Sequence, residues 1–247
     1  MTDRVVHEDN GIVYGAGGER LDVHRPQVPD SAPVVLLWHG RGPRERDAMA
    51  PLARAAASRG MIVLVPDWSS EADDGGWQHL TESIAFTRDR AAEYGGDTDH
   101  VVLAGWSLGA LAGAGLLLRP ERAGGWVPTA FVGVAGRYVP DKPEMDLPSP
   151  VADVESGLRF PVPVELLHGT GDPTVPVEES RAFRDTLARN GHAVTLTETD
   201  SDHAGVVMTE YSPEHGRCLP AQDPSALSAG HVTVEALVRA AGLPPAP

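Results

Sequence analysis

Residues 101–109 read VVLAGWSLG, and this stretch decides the fold. Its first four residues are apolar, as in a strand that is buried on both faces of a sheet. A glycine stands two residues before Ser107 and another two residues after it. A chain that reverses sharply from strand to helix needs glycine at both places, because larger side chains would collide there. The pattern predicts that Ser107 lies alone at the tip of the turn, where the N-terminus of the next helix favours a developing negative charge.

Short apolar runs alternate with longer helical patterns along the rest of the chain. The apolar runs cover 21–24, 34–38, 61–65, 101–104, 130–134, 162–167 and 193–196. The helical patterns cover 46–59, 78–94, 108–118, 177–190 and 232–241. Buried strands that alternate with such helices predict an α/β fold with a mostly parallel central sheet and helices on both faces. We expect a single domain over 1–247, in which the proline-rich segment 137–161 could form a small cap or loop insertion.

The composition excludes several classes of function. The 247 residues carry 35 Asp and Glu against 20 Lys and Arg, a net charge of −15 that disfavours a nucleic-acid-binding surface. The one cysteine, Cys218, can form neither an intrachain disulfide nor a structural zinc site made of cysteines. No run approaches the roughly 18 apolar residues of a membrane span. The first residues lack an apolar signal core, so we expect a cytoplasmic protein.

Polar residues follow several of the apolar runs, at the strand ends where parallel sheets carry their functional loops. Asp172 stands in a turn just after the sixth run, and His203 stands in a loop after the seventh. The second run is followed by Gly40 and Arg41, in a glycine-rich loop whose N–H groups can face a substrate. Taken singly, such an Asp is usually a turn residue and such a His is usually structural. The order Ser107, Asp172, His203, with a His-Gly loop upstream, is more specific.

In this order the residues resemble the α/β-hydrolase superfamily over about residues 10–242. The run YGGD at 94–97 resembles the carboxylesterase and hormone-sensitive-lipase branch. The pair Ser149-Pro150 and the HGT turn at 168–170 resemble small esterases of the feruloyl-esterase and kynurenine-formamidase-like group. The resemblance implies the α/β-hydrolase fold and a serine hydrolase that cleaves a small to medium carboxylic ester through an acyl-enzyme, without a cofactor.

The three polar residues then take defined roles. The Ser107 hydroxyl attacks an acyl carbonyl, and because a free serine is a poor nucleophile, His203 takes its proton. Asp172 holds the imidazole in the right tautomer and stabilises the imidazolium. The oxyanion hole is expected to use the N–H of Leu108 and one from the upstream loop. By resemblance to the superfamily, Arg41 is the favoured second donor and Gly40 the next.

Other residues compete for these roles. Asp202 directly precedes His203, and Asp200 is close, but sequence neighbours rarely point at each other's ring nitrogens. His215 lies in a loop that could border the site. His231 is interpreted as a residue that precedes the last helix.

The substrate pocket and any metal site are less defined by the sequence. Trp106, Trp68 and Trp77 are candidate pocket residues that could equally belong to the core.

We expect no metal site, because the chain lacks an HExxH motif and a cysteine pair. The acidic run at 71–74 is interpreted as a solvated loop, and Cys218 as an incidental thiol.

Two kinds of alternative remain open at this point. An acyltransferase, an amidase or a thioesterase would use the same Ser107, Asp172 and His203. A pseudo-hydrolase would bind a ligand without turnover, and loss of one of the three residues would have favoured it. In each enzymatic case the expected partner is a small acyl substrate. The sequence does not indicate the oligomeric state.

Overall fold

The computed structural model describes residues 5–27, 31–139, 145 and 149–245. Within those ranges the strands are β1 Val6–Val13, β2 Arg20–Pro26, β3 Ala32–Trp38, β4 Ile62–Pro66, β5 Gly96–Trp106, β6 Ala130–Val134, β7 Val164–Gly169, β8 Val194–Thr199, β9 Thr209–Ser212 and β10 Arg217–Pro220. The α-helices are α1 Arg46–Ser58, α2 Trp77–Arg90, α3 Leu108–Leu118, α4 Pro150–Glu155, α5 Glu178–Arg189 and α6 Pro224–Ala240.

Eight of the strands form one sheet in the order β1-β2-β4-β3-β5-β6-β7-β8. The strands from β4 to β8 pair in parallel, whereas β1 and β2 pair antiparallel at one edge. The strands β9 and β10 form a separate hairpin. The predicted α/β fold with a mostly parallel sheet is therefore confirmed, and all the parallel strands end at the same edge.

Both faces of the sheet are buried under helices. Along β3, Leu36 belongs to a core that includes side chains from α2, α3 and α5, and its neighbour Leu37 belongs to a second core with α1 and α6. Successive side chains of a strand point to opposite faces, so a strand covered on both sides reads as a continuous apolar run. This explains why the apolar runs located the central strands.

The helix α3 lies close to the sheet because small residues face it. A Cβ atom added to Gly109 would come within 2.5 Å of the carbonyl oxygens of Trp38 and His39. A Cβ atom added to Gly113 would come within 2.4 Å of the Phe131 ring. This close packing brings the start of α3 next to the loop that follows β3.

The C-terminal helix differs from its prediction. It begins at Pro224 rather than at residue 232, and the Asp223 side chain caps it by accepting the N–H of Ser225. His231 therefore lies inside α6, and its interpretation as a residue before the helix was wrong. Asp followed by Pro is a typical start of a helix, because Asp caps the free N–H groups and Pro needs no partner for its nitrogen. The residues that follow Pro224 are mostly small or polar, so the first turns of α6 lack the spacing of apolar residues that predicts a helix.

The segment 137–161 is only partly described. The structure describes 137–139, 145 and 149–161, which include the short helix α4. The other residues of the predicted cap, 140–144 and 146–148, lie outside the described residues.

Across the described ranges, none of the helices combines the length and the apolarity that crossing a membrane requires.

Candidate active site

Ser107 occupies the turn between β5 and α3 in an unusual backbone conformation. Its φ of 56° and ψ of −116° are rare for a residue with a side chain. The N–H of Ser107 donates to the carbonyl of Val134, 2.8 Å away, which ties the turn to the end of β6. A Cβ atom on Gly105 would lie 2.3 Å from the carbonyl oxygen of Gly109. The two glycines that flank Ser107 thus allow the close approach that the turn requires.

Asp172 and His203 meet at the carboxyl ends of β7 and β8. His203 Nδ1 lies 2.6 Å from Asp172 Oδ2. The Asp172 side chain is fully buried, and that of His203 is 13% exposed. An Nδ1–H that donates to the carboxylate leaves the other ring nitrogen, Nε2, free of a proton and able to accept one.

Asp172 stays ionised in spite of its burial. Burial alone would raise its pKa, but hydrogen bonds from His168, His203 and the Val175 N–H outweigh that effect and hold the pKa of Asp172 well below its usual range. The second oxygen, Oδ1, accepts the N–H groups of Thr174 and Val175 at 2.8 and 2.9 Å. A carboxylate held in this way can stabilise a positive charge on the imidazole of His203.

His168 is a second histidine at the same carboxylate. Its Nε2 lies 3.3 Å from Asp172 Oδ2 and 2.9 Å from the carbonyl of Val175. Its Nδ1 is 2.7 Å from the hydroxyl of Ser180, which can donate to it. In the sequence, His168 belongs to the turn that resembles small esterases, and no role at the site was predicted for it. The signal was present, since a histidine at the end of a strand stood four residues before the predicted acid.

His39 organises the loop that follows β3. It is fully buried, and its Nε2 lies 3.2 Å from the Trp68 nitrogen and 3.4 Å from the Glu45 nitrogen, so it can accept both N–H groups. Burial lowers the pKa of His39 to about 4, so the ring is neutral at pH 7. The Trp68 indole N–H donates to the His39 carbonyl, and the two rings stack with centroids 5.5 Å apart. These contacts hold the loop in one shape.

The next residues of that loop lie beside Ser107. A Cβ atom on Gly40 would be 3.1 Å from the Trp106 ring and 3.4 Å from the Cβ atom of Ser107. Arg41 and Leu108 line a cavity of about 110 Å³ together with Ser107. The structure thus brings the predicted oxyanion-hole residues close to the predicted nucleophile.

Three further residues, which were not among the predicted site residues, line this cavity. They are Arg137, Thr174 and Val175. Each follows the carboxyl end of β6 or β7, so the rule that functional loops lie at strand ends was the signal that could have found them.

The three candidate pocket tryptophans are buried side chains. Trp106 donates its indole N–H to the His203 carbonyl at 2.9 Å, and the two rings are 5.1 Å apart. Trp77 donates to the Met145 carbonyl at 2.9 Å, and Trp68 holds the loop of His39. The described lining of the 110 Å³ cavity includes none of the three. Their part in substrate binding stays a prediction.

The residues that competed in the sequence for the roles of acid and base lie elsewhere or make other contacts. Asp202 accepts the N–H groups of Ala204 and Gly205 at 3.1 and 2.7 Å, which shapes the turn after His203. His215 is 2.9 Å from the Ser212 hydroxyl in the turn between β9 and β10. Asp200 and His231 are exposed.

The described residues offer no preformed metal site. Within the described part of the chain, no three His, Cys, Asp or Glu side chains come together as metal ligands would. In the acidic run at 71–74, Asp74 accepts the N–H groups of Gly76 and Gln78 at the start of α2. Burial raises the pKa of the Cys218 thiol.

Comparisons with known proteins agree with this architecture. No family model matches the chain. It is 28% identical to the esterase LipQ of Mycobacterium tuberculosis, over 81% of this chain and 57% of LipQ. It is also 28% identical to a probable isoprenylcysteine alpha-carbonyl methylesterase of Oryza sativa subsp. japonica, over 75% of this chain and 54% of that protein. The chain thus spans little more than half the length of these curated relatives.

Solved structures show the same fold at low sequence identity. A putative dienelactone hydrolase from Klebsiella pneumoniae subsp. pneumoniae matches with a TM-score of 0.71 and 14% identity, covering 97% of this chain and 99% of that one. Esterase B from Lactobacillus rhamnosis matches with a TM-score of 0.74 and 19% identity, covering 98% and 89%. The chain has the α/β-hydrolase fold that the sequence predicted. The predicted resemblance to esterases of that superfamily is confirmed by the two curated relatives.

Proposed function

We propose that the protein is a serine carboxylic-ester hydrolase that cleaves small to medium esters through an acyl-enzyme on Ser107. The observation that carries the proposal is the 2.6 Å contact of His203 Nδ1 with the buried Asp172 carboxylate. A strained serine stands at the same edge of the sheet, beside a small cavity. The similarity to two curated esterases supports the same class of reaction.

In the first half of the reaction, Ser107 Oγ attacks the ester carbonyl while His203 Nε2 takes the hydroxyl proton. The carbon–oxygen bond to the leaving group then breaks, and the alcohol departs with the proton from His203. In the second half, His203 takes a proton from water, which attacks the carbonyl carbon of the acyl-enzyme. The bond between that carbon and Ser107 Oγ then breaks, His203 returns the proton to Oγ, and the acid is released. The ionised Asp172 stabilises the imidazolium that forms in each half.

The negative charge that develops on the carbonyl oxygen needs hydrogen-bond donors. The Leu108 N–H belongs to the first turn of α3, where N–H groups have no partner inside the helix. We assign the second donor to the loop after β3, with Arg41 favoured over Gly40. One such donor contributes roughly 3–4 kcal/mol to transition-state stabilisation. The neutral, buried His39 serves this arrangement by keeping the loop in place.

The proposal is tested by labelling and by turnover. A fluorophosphonate probe should label the wild-type protein and fail to label Ser107→Ala. The same substitution should lower kcat by roughly 10⁴-fold or more, because the attacking oxygen is gone. Its circular dichroism spectrum should match that of the wild type. Undiminished turnover by a clean preparation of Ser107→Ala, or a wild type that the probe does not label, would refute the assignment.

A further inference from the structure

We propose that Arg137 selects substrates that carry a carboxylate within a few bonds of the ester. Such a substrate is either a half-ester of a dicarboxylic acid or an ester of a hydroxy acid. This inference rests on the proposed esterase function of Ser107, and it names the class of substrate that the site would take.

The cavity beside Ser107 carries a positive charge from Arg137. Its described lining holds two arginines, Arg41 and Arg137, and no carboxylate. Arginine is always charged in proteins, so Arg137 places a positive charge at this cavity. The chain as a whole has a net charge of −15. A cation at the cavity beside the nucleophile of an acidic protein favours an anionic group in the bound substrate.

Hydrogen bonds fix the main chain on both sides of Arg137. Before it, the Ala135 N–H donates to the Leu167 carbonyl at 2.8 Å. After it, the N–H groups of Tyr138 and Val139 both donate to one carboxylate oxygen of Glu179, at 2.7 and 2.6 Å.

Two further contacts place this segment relative to the nucleophile. The Tyr138 ring is fully buried and stacks on Phe183 with centroids 4.4 Å apart. The end of β6, which leads into Arg137, is tied to Ser107 by the bond between the Ser107 N–H and the Val134 carbonyl. These contacts fix the position of the Arg137 main chain relative to Ser107.

The lining of the cavity limits where the carboxylate can be. Arg137 and Ser107 line the same cavity of about 110 Å³. An anionic group that Arg137 binds there therefore lies close to the reacting carbonyl. Arginine binds carboxylates through two parallel N–H···O bonds, which lysine and neutral side chains cannot form.

The test compares matched esters that differ in one charge. With monomethyl succinate and methyl butyrate, the readout is the ratio of kcat/KM for the anionic ester to that for the neutral one, followed by acid release. Arg137→Gln should lower this ratio by about ten- to a hundredfold, because a hydrogen-bonded charge pair is lost. A second pair, (butyryloxy)acetate and ethyl butyrate, places the carboxylate on the alcohol. The pair that responds more strongly identifies the side of the ester that carries the anion.

Arg88→Gln is the matched control, since it removes one positive charge from an exposed position on α2. It should leave the ratio as in the wild type. Arg137→Lys keeps the charge without the paired donors and should give an intermediate ratio. Fluorophosphonate labelling reports whether each variant keeps its site. An unchanged ratio for both ester pairs in a labelled Arg137→Gln protein would overturn the inference.

Binding separates this inference from the proposed function. In the Ser107→Ala background, calorimetry should show that monomethyl succinate binds more tightly than methyl butyrate. Adding Arg137→Gln should weaken the binding of monomethyl succinate at least tenfold. If the wild type hydrolyses no ester, the proposed function fails, and this binding result still decides the inference. Equal binding with and without Arg137 would refute it.

Discussion

The carboxylate of Asp172 accepts hydrogen bonds at both of its oxygens. Oδ2 faces His203 and His168, and Oδ1 faces the N–H groups of Thr174 and Val175. A buried carboxylate without such donors would be protonated or would destabilise the fold. The same contacts that keep Asp172 ionised also fix the direction in which it meets His203.

At the residue scale, Asp172→Asn should lower kcat by on the order of 10⁴-fold, because an amide no longer selects the required tautomer of His203. Protein stability should change much less than activity. Steady-state kinetics and thermal unfolding measure the two effects. Asp200→Asn is the control, since Asp200 is exposed, and Asp202→Asn should also cost far less activity. A larger loss for Asp202→Asn than for Asp172→Asn would show that Asp172 is not the partner of His203.

At the scale of elements, the site depends on how closely α3 approaches β3. Gly109→Ala places a methyl group within 2.5 Å of two backbone carbonyl oxygens, which cannot move aside as a flexible side chain could. We expect a destabilisation of at least about 2 kcal/mol, and a loss of activity because the loop of His39 shifts. Urea unfolding and kcat/KM on a neutral ester measure these effects.

Gly17→Ala serves as the control for that substitution. The three atoms nearest to its added methyl group all belong to the carboxylate at the end of the flexible Glu19 side chain. A Gly109→Ala protein as stable and as active as Gly17→Ala would show that the helix has room to move away from the sheet.

At the scale of the whole molecule, buried neutral histidines make stability depend on pH. The pKa of His39 is about 4 in the folded protein and about 6.5 in an unfolded chain. Between these values the unfolded chain binds more protons, so the free energy of unfolding falls as the pH falls from 6.5 to 4. The shift corresponds to about 3 kcal/mol for His39. Burial lowers the pKa of His24 as well, which acts in the same direction.

Urea unfolding at pH 7.5, 5.5 and 4.5 measures this dependence. His39→Asn should reduce the slope of unfolding free energy against pH by up to about 1.4 kcal/mol per pH unit near pH 5, since one titrating group is removed. His231→Asn, at an exposed position of α6, should leave the slope as in the wild type. If His39→Asn and wild type show the same slope, protonation of His39 does not contribute to acid unfolding.

The α/β architecture was predictable because its signals are local. The strands buried on both faces produced continuous apolar runs, and the glycines around Ser107 satisfy steric needs of a single turn. The strand, turn and helix around Ser107 could therefore be predicted from about a dozen residues. The start of α6 was missed because it depends on a cap at Asp223, which a search for apolar periods does not detect.

The sequence by itself determined the fold class and the residue types that stand at the strand ends. Only the tertiary structure decided which of them meet. Asp172 contacts His203 because the parallel pairing of β7 with β8 brings the loops after these strands together. The Asp202 carboxylate instead accepts the N–H groups of Ala204 and Gly205. His168 lies at the end of β7, 3.3 Å from Asp172. Arg137 lines the cavity beside Ser107 because it follows β6, which pairs with both β5 and β7. Such contacts depend on strand order and on burial between distant segments, and no local pattern of residues encodes either of them.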